Sequence, residues 1–187
     1  MRKLRVFNSV TLDGYFTDAK GDMSWAHGNQ DKEWTDFVSG NARGESAMIF
    51  GRVTYQMMAG WWPGPQAKQA MPAVADRMNA AAKVVFSKTL ERADWNNTKL
   101  VENDPAGTIR KMKTESGPDL IIFGSGTIVA LLTEAGLVDE FQLVVVPVVL
   151  GQGRTMFDGV TLRPKLQLTQ SRAFQNGNIF LTYHAGK

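Results

Sequence analysis

Three short stretches of this chain set glycine, hydroxyl and cationic residues directly after an apolar run. Phe123-Gly-Ser-Gly-Thr-Ile128 carries Gly124, Ser125, Gly126 and Thr127. Ile49-Phe-Gly-Arg-Val-Thr-Tyr55 carries Gly51, Arg52 and Thr54, and Phe86-Ser-Lys-Thr89 carries Ser87 and Lys88. Glycines let a backbone come close to a phosphate, and a helix that starts there points free N–H groups at it. Arginine adds a two-pronged donor and threonine a hydroxyl. Each stretch also has a plain structural reading: a tight strand-to-helix turn, a solvated Arg52 with Thr54 as a cap, a polar loop. Together they gain force, because an open α/β sheet binds ligands outside the carboxyl ends of its strands. One extended ligand with several phosphates would use all three. A full G-x-G-x-x-G dinucleotide fingerprint is absent.

Acid–base chemistry has few candidates. Asp31 and Glu33 open a helical stripe over residues 31–43, with Trp34, Phe37, Val38, Asn41 and Ala42 on one face. At 100° per residue Asp31 lies roughly 50° from the centre of that stripe, Glu33 about 110°, and Asp36 nearly opposite. Asp36 thus reads as solvated. Asp31 and Glu33 border an aromatic pocket, where a carboxylate holds an amino-pyrimidine edge or helps protonate a C=N group. Their structural readings are an N-cap for Asp31 or Asn29 and a dipole partner for Glu33. Asp13 and Trp25 belong to the segment after the first strand, which could lid a site, and with Phe37 they are the candidate substrate contacts. His27 is a further proton donor by type, and Trp61-Trp62-Pro63 could cover a flat heterocycle.

Several chemistries drop out. The chain has no cysteine and two histidines, which excludes thiol nucleophiles, Cys-ligated clusters and His-rich metal sites; no metal is expected. Net charge is +3, from 21 basic and 18 acidic residues without a block of like charge, so no nucleic-acid partner is expected. The basic start lacks the apolar run of a signal peptide, and the longest apolar stretch, 141–150, falls short of the ~20 residues of a membrane span. A cytoplasmic protein is the expectation, with no membrane partner.

The elements that must position these residues follow from periodicity. Strands are expected at 4–10, 46–50, 83–87, 119–123 and 141–149, and helices at 31–43, 52–59, 70–82, 105–116 and 127–135. A hairpin closes at Asn176-Gly177 between 165–174 and 178–184. Alternating strands and helices imply an α/β fold with a mainly parallel central sheet and an antiparallel C-terminal edge. At 187 residues and 43% hydrophobic content this reads as one domain, 1–187.

Five stretches together resemble the dihydrofolate reductase-like superfamily, in the branch of the riboflavin-biosynthesis reductase domain. They are Ser9-Val-Thr-Leu-Asp-Gly14, Phe50-Gly-Arg-Val-Thr-Tyr55, Val84-Val-Phe-Ser-Lys-Thr89, Leu120-Ile-Ile-Phe-Gly-Ser-Gly-Thr127 and Val146-Pro-Val-Val-Leu-Gly-Gln-Gly153. The resemblance implies a three-layer α/β/α fold and NADPH as cofactor. Arg52 and Thr54 would lie beside the cofactor phosphates, Ser87 and Lys88 near the 2′-phosphate, and Gly124 to Thr127 around the diphosphate. It implies a substrate-holding acid on the first long helix; spacing from Phe37 selects Glu33, and alignment on Trp34 selects Asp31. It also implies a homodimer. The expected activity is hydride transfer to a C=N or C=O bond of a small pterin- or pyrimidine-like heterocycle. The alternative is a nucleotide-binding module of this fold without catalysis.

Overall fold

The computed structural model describes residues 1–28, 30–41 and 45–186. Asn29 and Ala42, named above for the first helix, lie outside the described residues, as do Arg43 and the side chain of Asn41. Ten strands run in chain order: β1 Leu4–Thr11, β2 Tyr15–Thr17, β3 Ser46–Gly51, β4 Lys83–Phe86, β5 Thr98–Val101, β6 Asp119–Phe123, β7 Glu140–Val146, β8 Arg154–Thr155, β9 Leu166–Ala173 and β10 Ile179–Ala185. The α-helices are α1 Lys32–Asn41, α2 Arg52–Trp61, α3 Pro65–Ala70, α4 Pro72–Ala80, α5 Pro105–Thr114 and α6 Gly126–Glu134, and a 3-10 turn spans Ser24–His27.

Eight strands form one sheet in the order β5-β4-β3-β6-β1-β7-β10-β9, and β2 pairs with β8 beside it. The first six strands of that order are mutually parallel, while β10 and β9 are antiparallel. This is the α/β class expected from the sequence, with its antiparallel edge. The parallel half is built from runs such as Ala-Met-Ile-Phe in β3 and Val-Val-Phe in β4, buried on both faces, as parallel strands under two helical layers must be.

Three apolar clusters hold the layers together. Ile109 of α5 and Ile128, Val129 and Leu132 of α6 cover one face, on Leu4, Val6, Leu120, Ile122 and Ile49. On the other face α2 and α4 bring Tyr55, Val74 and Met78 onto Met48, Phe50 and Val85. On that same face α1 brings Trp34, Phe37 and Val38 onto Val144, Val146 and Phe180.

Local differences from the periodicity reading have identifiable causes. The expected helix at 70–82 begins only at Pro72, as α4, and is separated from α3 (Pro65–Ala70) because Met71 (φ −143°, ψ 67°) leaves helical space immediately before Pro72, the residue a proline most restricts. β7 stops at Val146, since Pro147 has no N–H to donate. β5 went unread because Thr-Lys-Leu-Val is short and lies at the parallel edge. The C-terminal hairpin turns as Phe174–Gly177, with Gly177 N–H donating to the Phe174 carbonyl and Phe174 N–H to the Asn178 carbonyl. Gly177 takes φ +88° and Asn176 stays at negative φ. The turn is therefore a three-residue type with a glycine bulge, not a two-residue Asn-Gly turn.

A candidate cleft over the two central strands

The central strands are bare on one face. In β1, Leu4, Val6, Asn8 and Val10 are buried, while Arg5, Phe7 and Ser9 are half-exposed. In β6, Leu120 and Ile122 are buried, while Asp119, Ile121 and Phe123 are half-exposed. The half-exposed sets share the face that carries α1 over β7 and β10, and α2 and α4 over β3 and β4. Between those helices no element among the described residues covers β1 and β6, which leaves a cleft along the middle of the sheet.

Its floor is aromatic. Phe7 and Phe123 meet edge-on at 6.0 Å between ring centroids, Phe7 approaches Phe180 at 6.4 Å and Phe123 stacks on Phe50 at 6.2 Å. Such contacts fix ring orientation at about 0.5–1.5 kcal/mol each beyond area burial. Phe7 and Phe123 were not singled out from the sequence. The available signal was the two-residue alternation of Leu-Arg-Val-Phe-Asn-Ser, which puts an arginine, a phenylalanine and a serine on one side of a central strand.

The three glycine and hydroxyl stretches stand side by side at the upper end of this cleft. β4, β3 and β6 are consecutive in the sheet, with Gly51 opposite Phe86 and Ile49 opposite Ile122. Ser125 cross-links two of the turns: its Oγ accepts the Gly51 N–H at 2.8 Å, and its own N–H donates to Thr54 Oγ1 at 3.1 Å. Gly124 (φ +55°) and Ser125 (φ +59°) are both left-handed. A Cβ on Gly126 would lie 2.6 Å from the Phe16 ring, so that glycine is required by close approach, and one on Gly124 would make a tight 3.1 Å contact with Thr54 Oγ1. Ser125 makes no side-chain cap. The Gly126 and Thr127 N–H groups thus open α6 with no protein acceptor among the described residues.

The remaining candidates divide. Arg52 is exposed at the start of α2 and donates to Gln56 Oε1 at 3.0 Å. Thr54 is buried and accepts the Ser125 N–H. Ser87 is buried, its Oγ accepting the N–H groups of Thr89 (3.1 Å) and Leu90 (2.9 Å), while Lys88 is exposed. A cavity of about 650 Å³ also opens on Gly126 and Thr127, but on the side of α6 and β8, walled by Phe16, Leu131 and Arg154.

The two acids at the start of α1 have different partners. Glu33 points at the β9–β10 hairpin: it pairs with Arg172 at 2.8 Å and accepts the Gln175 N–H at 3.2 Å. The Arg172 hydrogen bond, then the Gln175 N–H, hold its carboxyl below the ordinary glutamate range. Arg172 in turn lies over Phe174 and Phe37. Asp31 caps α1, its Oδ1 accepting the Trp34 N–H at 2.7 Å. Asp36 pairs with Lys32 in solvent.

Asp13 staples two loops: it accepts the Thr11 hydroxyl at 2.6 Å and the Gly151 N–H at 2.7 Å, and these bonds lower its pKa. Trp25 and Phe37 pack into the α1 cluster, and Trp25 Nε1 is buried without a hydrogen bond. His27 and Trp61 are exposed, and Trp62 packs against the α2–α4 cluster. Among the described residues no three His, Asp or Glu side chains converge as a metal site, and no helix is long and apolar enough to cross a membrane.

Residues 2–180 match the family model described as the RibD C-terminal domain. A Bacillus subtilis (strain 168) relative, named uncharacterized protein YyaP, is 27% identical over 183 residues, covering 98% of this chain and 95% of its own. The fold superposes on a putative riboflavin biosynthesis protein from Shewanella sp. PV-4 with a TM-score of 0.75 at 20% identity, over all of both chains. It also superposes on Enterococcus faecalis dihydrofolate reductase, solved with NADP(H), with a TM-score of 0.64 at 12% identity over 99% of this chain and 97% of that one.

Proposed function

The chain belongs to the RibD C-terminal domain family, with a reductase-type fold, and from that premise we propose that it is an NADPH-dependent reductase acting on a C=N or C=O bond of a small heterocycle. The observation that carries this reading is the placement of the bared strands β1 and β6 directly below the turns at Gly51–Thr54 and Gly124–Thr127. A ligand held at those turns reaches a flat, aromatic-floored cleft in one step along the sheet.

The residues fit a dinucleotide diphosphate. Gly126 and Thr127 present uncapped N–H groups at the positive end of α6, and the lack of a Cβ on Gly124 lets the backbone come close. Arg52, exposed at the next turn, has the fork for a phosphate. NADPH, when bound, supplies the hydride. The chain supplies position and a proton. Phe7 and Phe123 hold a ring against the floor, and Asp31, at the N-terminal end of α1, orients it and passes a proton to the reduced atom. Glu33, committed to Arg172, instead ties α1 to the hairpin.

Titration with NADPH and with NADH, followed by quenching of the five tryptophans, tests the reading. Saturable binding that prefers NADPH is expected, with Arg52→Ala losing affinity for both nucleotides. Unchanged affinity in Arg52→Ala removes Arg52 from the cofactor phosphates. Binding without turnover on any pterin or carbonyl substrate favours the non-catalytic module.

The partner we propose is a second copy. All eight residues of β9 are exposed. On the face away from α1, Leu166, Leu168 and Ile179 are 46%, 49% and 41% exposed beside half-buried Leu143, Val145 and Leu181. No charged side chain stands in that group; Arg172 and His184 point to the other face. A charge-free apolar sheet face meets its own copy across a two-fold axis without like-charge contact.

A further inference from the structure

The edge strand β9 has little to hold it. Among the described residues β10 is its one neighbour in the sheet, and the register between them shifts at Thr182/Tyr183, which leaves Thr169 unmatched. All eight residues of β9 are exposed. A strand with so little burial opens at a low free-energy cost. On the α1 side one side chain fastens it. Arg172 pairs with Glu33 at 2.8 Å and lies over the Phe174 ring at 4.5 Å and the Phe37 ring at 5.6 Å. On the other side Leu166 and Leu168 stand 46% and 49% exposed, beside Ile179 of β10. The clasp leads on to the cleft. Glu33 also accepts the Gln175 N–H at the hairpin tip, so the first turn of α1 is tied to the hairpin twice. Phe37, under the guanidinium, meets Phe180 at 4.9 Å between centroids, and Phe180 meets Phe7 of the cleft floor at 6.4 Å. One face of β9 thus serves the wall of the cleft, and the other belongs to the surface assigned above to a second copy. A contact that orders a strand from one face also orders what the strand holds on the other, with no change of shape.

We propose that self-association and the cleft are coupled through β9. A second copy seated on Leu166, Leu168 and Ile179 pins the strand, and Arg172 then holds α1; in the single chain both loosen. The wall of the cleft is therefore firmer in the dimer, and occupancy of the cleft and dimer formation favour each other by the same factor. The inference rests on the second copy proposed as partner, and not on hydride transfer.

Hydrogen exchange of the full chain, read by mass spectrometry above and below the dissociation midpoint found by sedimentation, tests it. Amides of α1 should exchange about fivefold or more faster in the single chain, the effect of losing one exposed ion pair and one cation–ring contact. Amides of α5, which packs on the opposite face of the sheet, should keep their rate. Leu168→Glu with Ile179→Glu should show the single-chain rate at every concentration. Arg172→Met changes the face away from the partner; it should still form dimers, yet exchange α1 at the single-chain rate. Arg172→Lys, which keeps the charge and loses the stacked fork, should recover part of the protection. Equal α1 exchange in dimers and single chains, or Arg172→Met dimers as protected as wild type, would overturn the coupling and leave the partner standing. A wild-type chain that stays single at every concentration would remove both. If the double variant does not fold, dilution of the wild type decides.

Discussion

Exchanging the charges of Asp31 and Glu33 one at a time decides which acid serves the cleft. Asparagine caps a helix about as well as aspartate. Asp31→Asn therefore keeps the acceptor for the Trp34 N–H and loses the proton. Its melting temperature should stay within ~4 °C of wild type, since only a dipole interaction of about 0.3–1 kcal/mol is removed and a chain of this size loses ~2–4 °C per kcal/mol. Its kcat/KM should fall by ~10²–10⁴, the usual contribution of a positioned proton donor. Asp31→Ala also removes the cap, at about 1 kcal/mol. Glu33→Gln breaks an ion pair whose side chains are 45% and 35% exposed, so the cost is on the order of 0–1 kcal/mol and activity should hold within a few-fold. Steady-state kinetics on the best substrate from a heterocycle screen, with thermal melts of each variant, measure both quantities. A fully active Asp31→Asn beside an inactive Glu33→Gln would mean that Glu33 is the catalytic acid, and the assignment to Asp31 would fall.

Other outcomes follow from single contacts. Lys83 is 1% exposed and gives its ammonium to the carbonyls of Asn79, Ala81 and Asn96 over the Trp95 ring. Burial lowers its pKa from 10.5 to about 8, so the unfolded chain holds that proton more tightly and stability should rise by up to ~3 kcal/mol as pH goes from 8 to 10.5. Denaturant melts across that range should lose this slope in Lys83→Met, which also leaves the three carbonyls without their donor; an unchanged slope would assign the titration to other groups. Gly124→Ala forces a Cβ into left-handed backbone beside Thr54, and should cost ~1–2 kcal/mol and weaken NADPH binding; equal affinity for NADPH would place the diphosphate elsewhere. Wild-type protein should sediment at twice the 20.6 kDa chain mass, and Leu168→Glu with Ile179→Glu should yield monomers that still melt cooperatively. Dimers that persist in the double variant would locate the interface on another face.

Much of the fold could be read from the chain because its signals are local. Short apolar runs marked β1, β3, β4, β6 and β7, alternation marked the C-terminal hairpin, and Pro105 marked the start of α5. The three strand-end turns were legible for the same reason: glycine and hydroxyl residues after an apolar run specify local backbone geometry whatever surrounds them. Two kinds of information had to wait for the tertiary structure. The role of each acid at the start of α1 depends on what packs beside it: only the tertiary structure shows that Glu33 meets Arg172 of the hairpin while Asp31 caps the helix. The cleft is likewise nonlocal, since Phe7 and Phe123 are 116 residues apart in the chain and edge to edge in the sheet. Periodicity reports which residues share a side of an element; what stands opposite that side is set by packing between elements far apart in the chain.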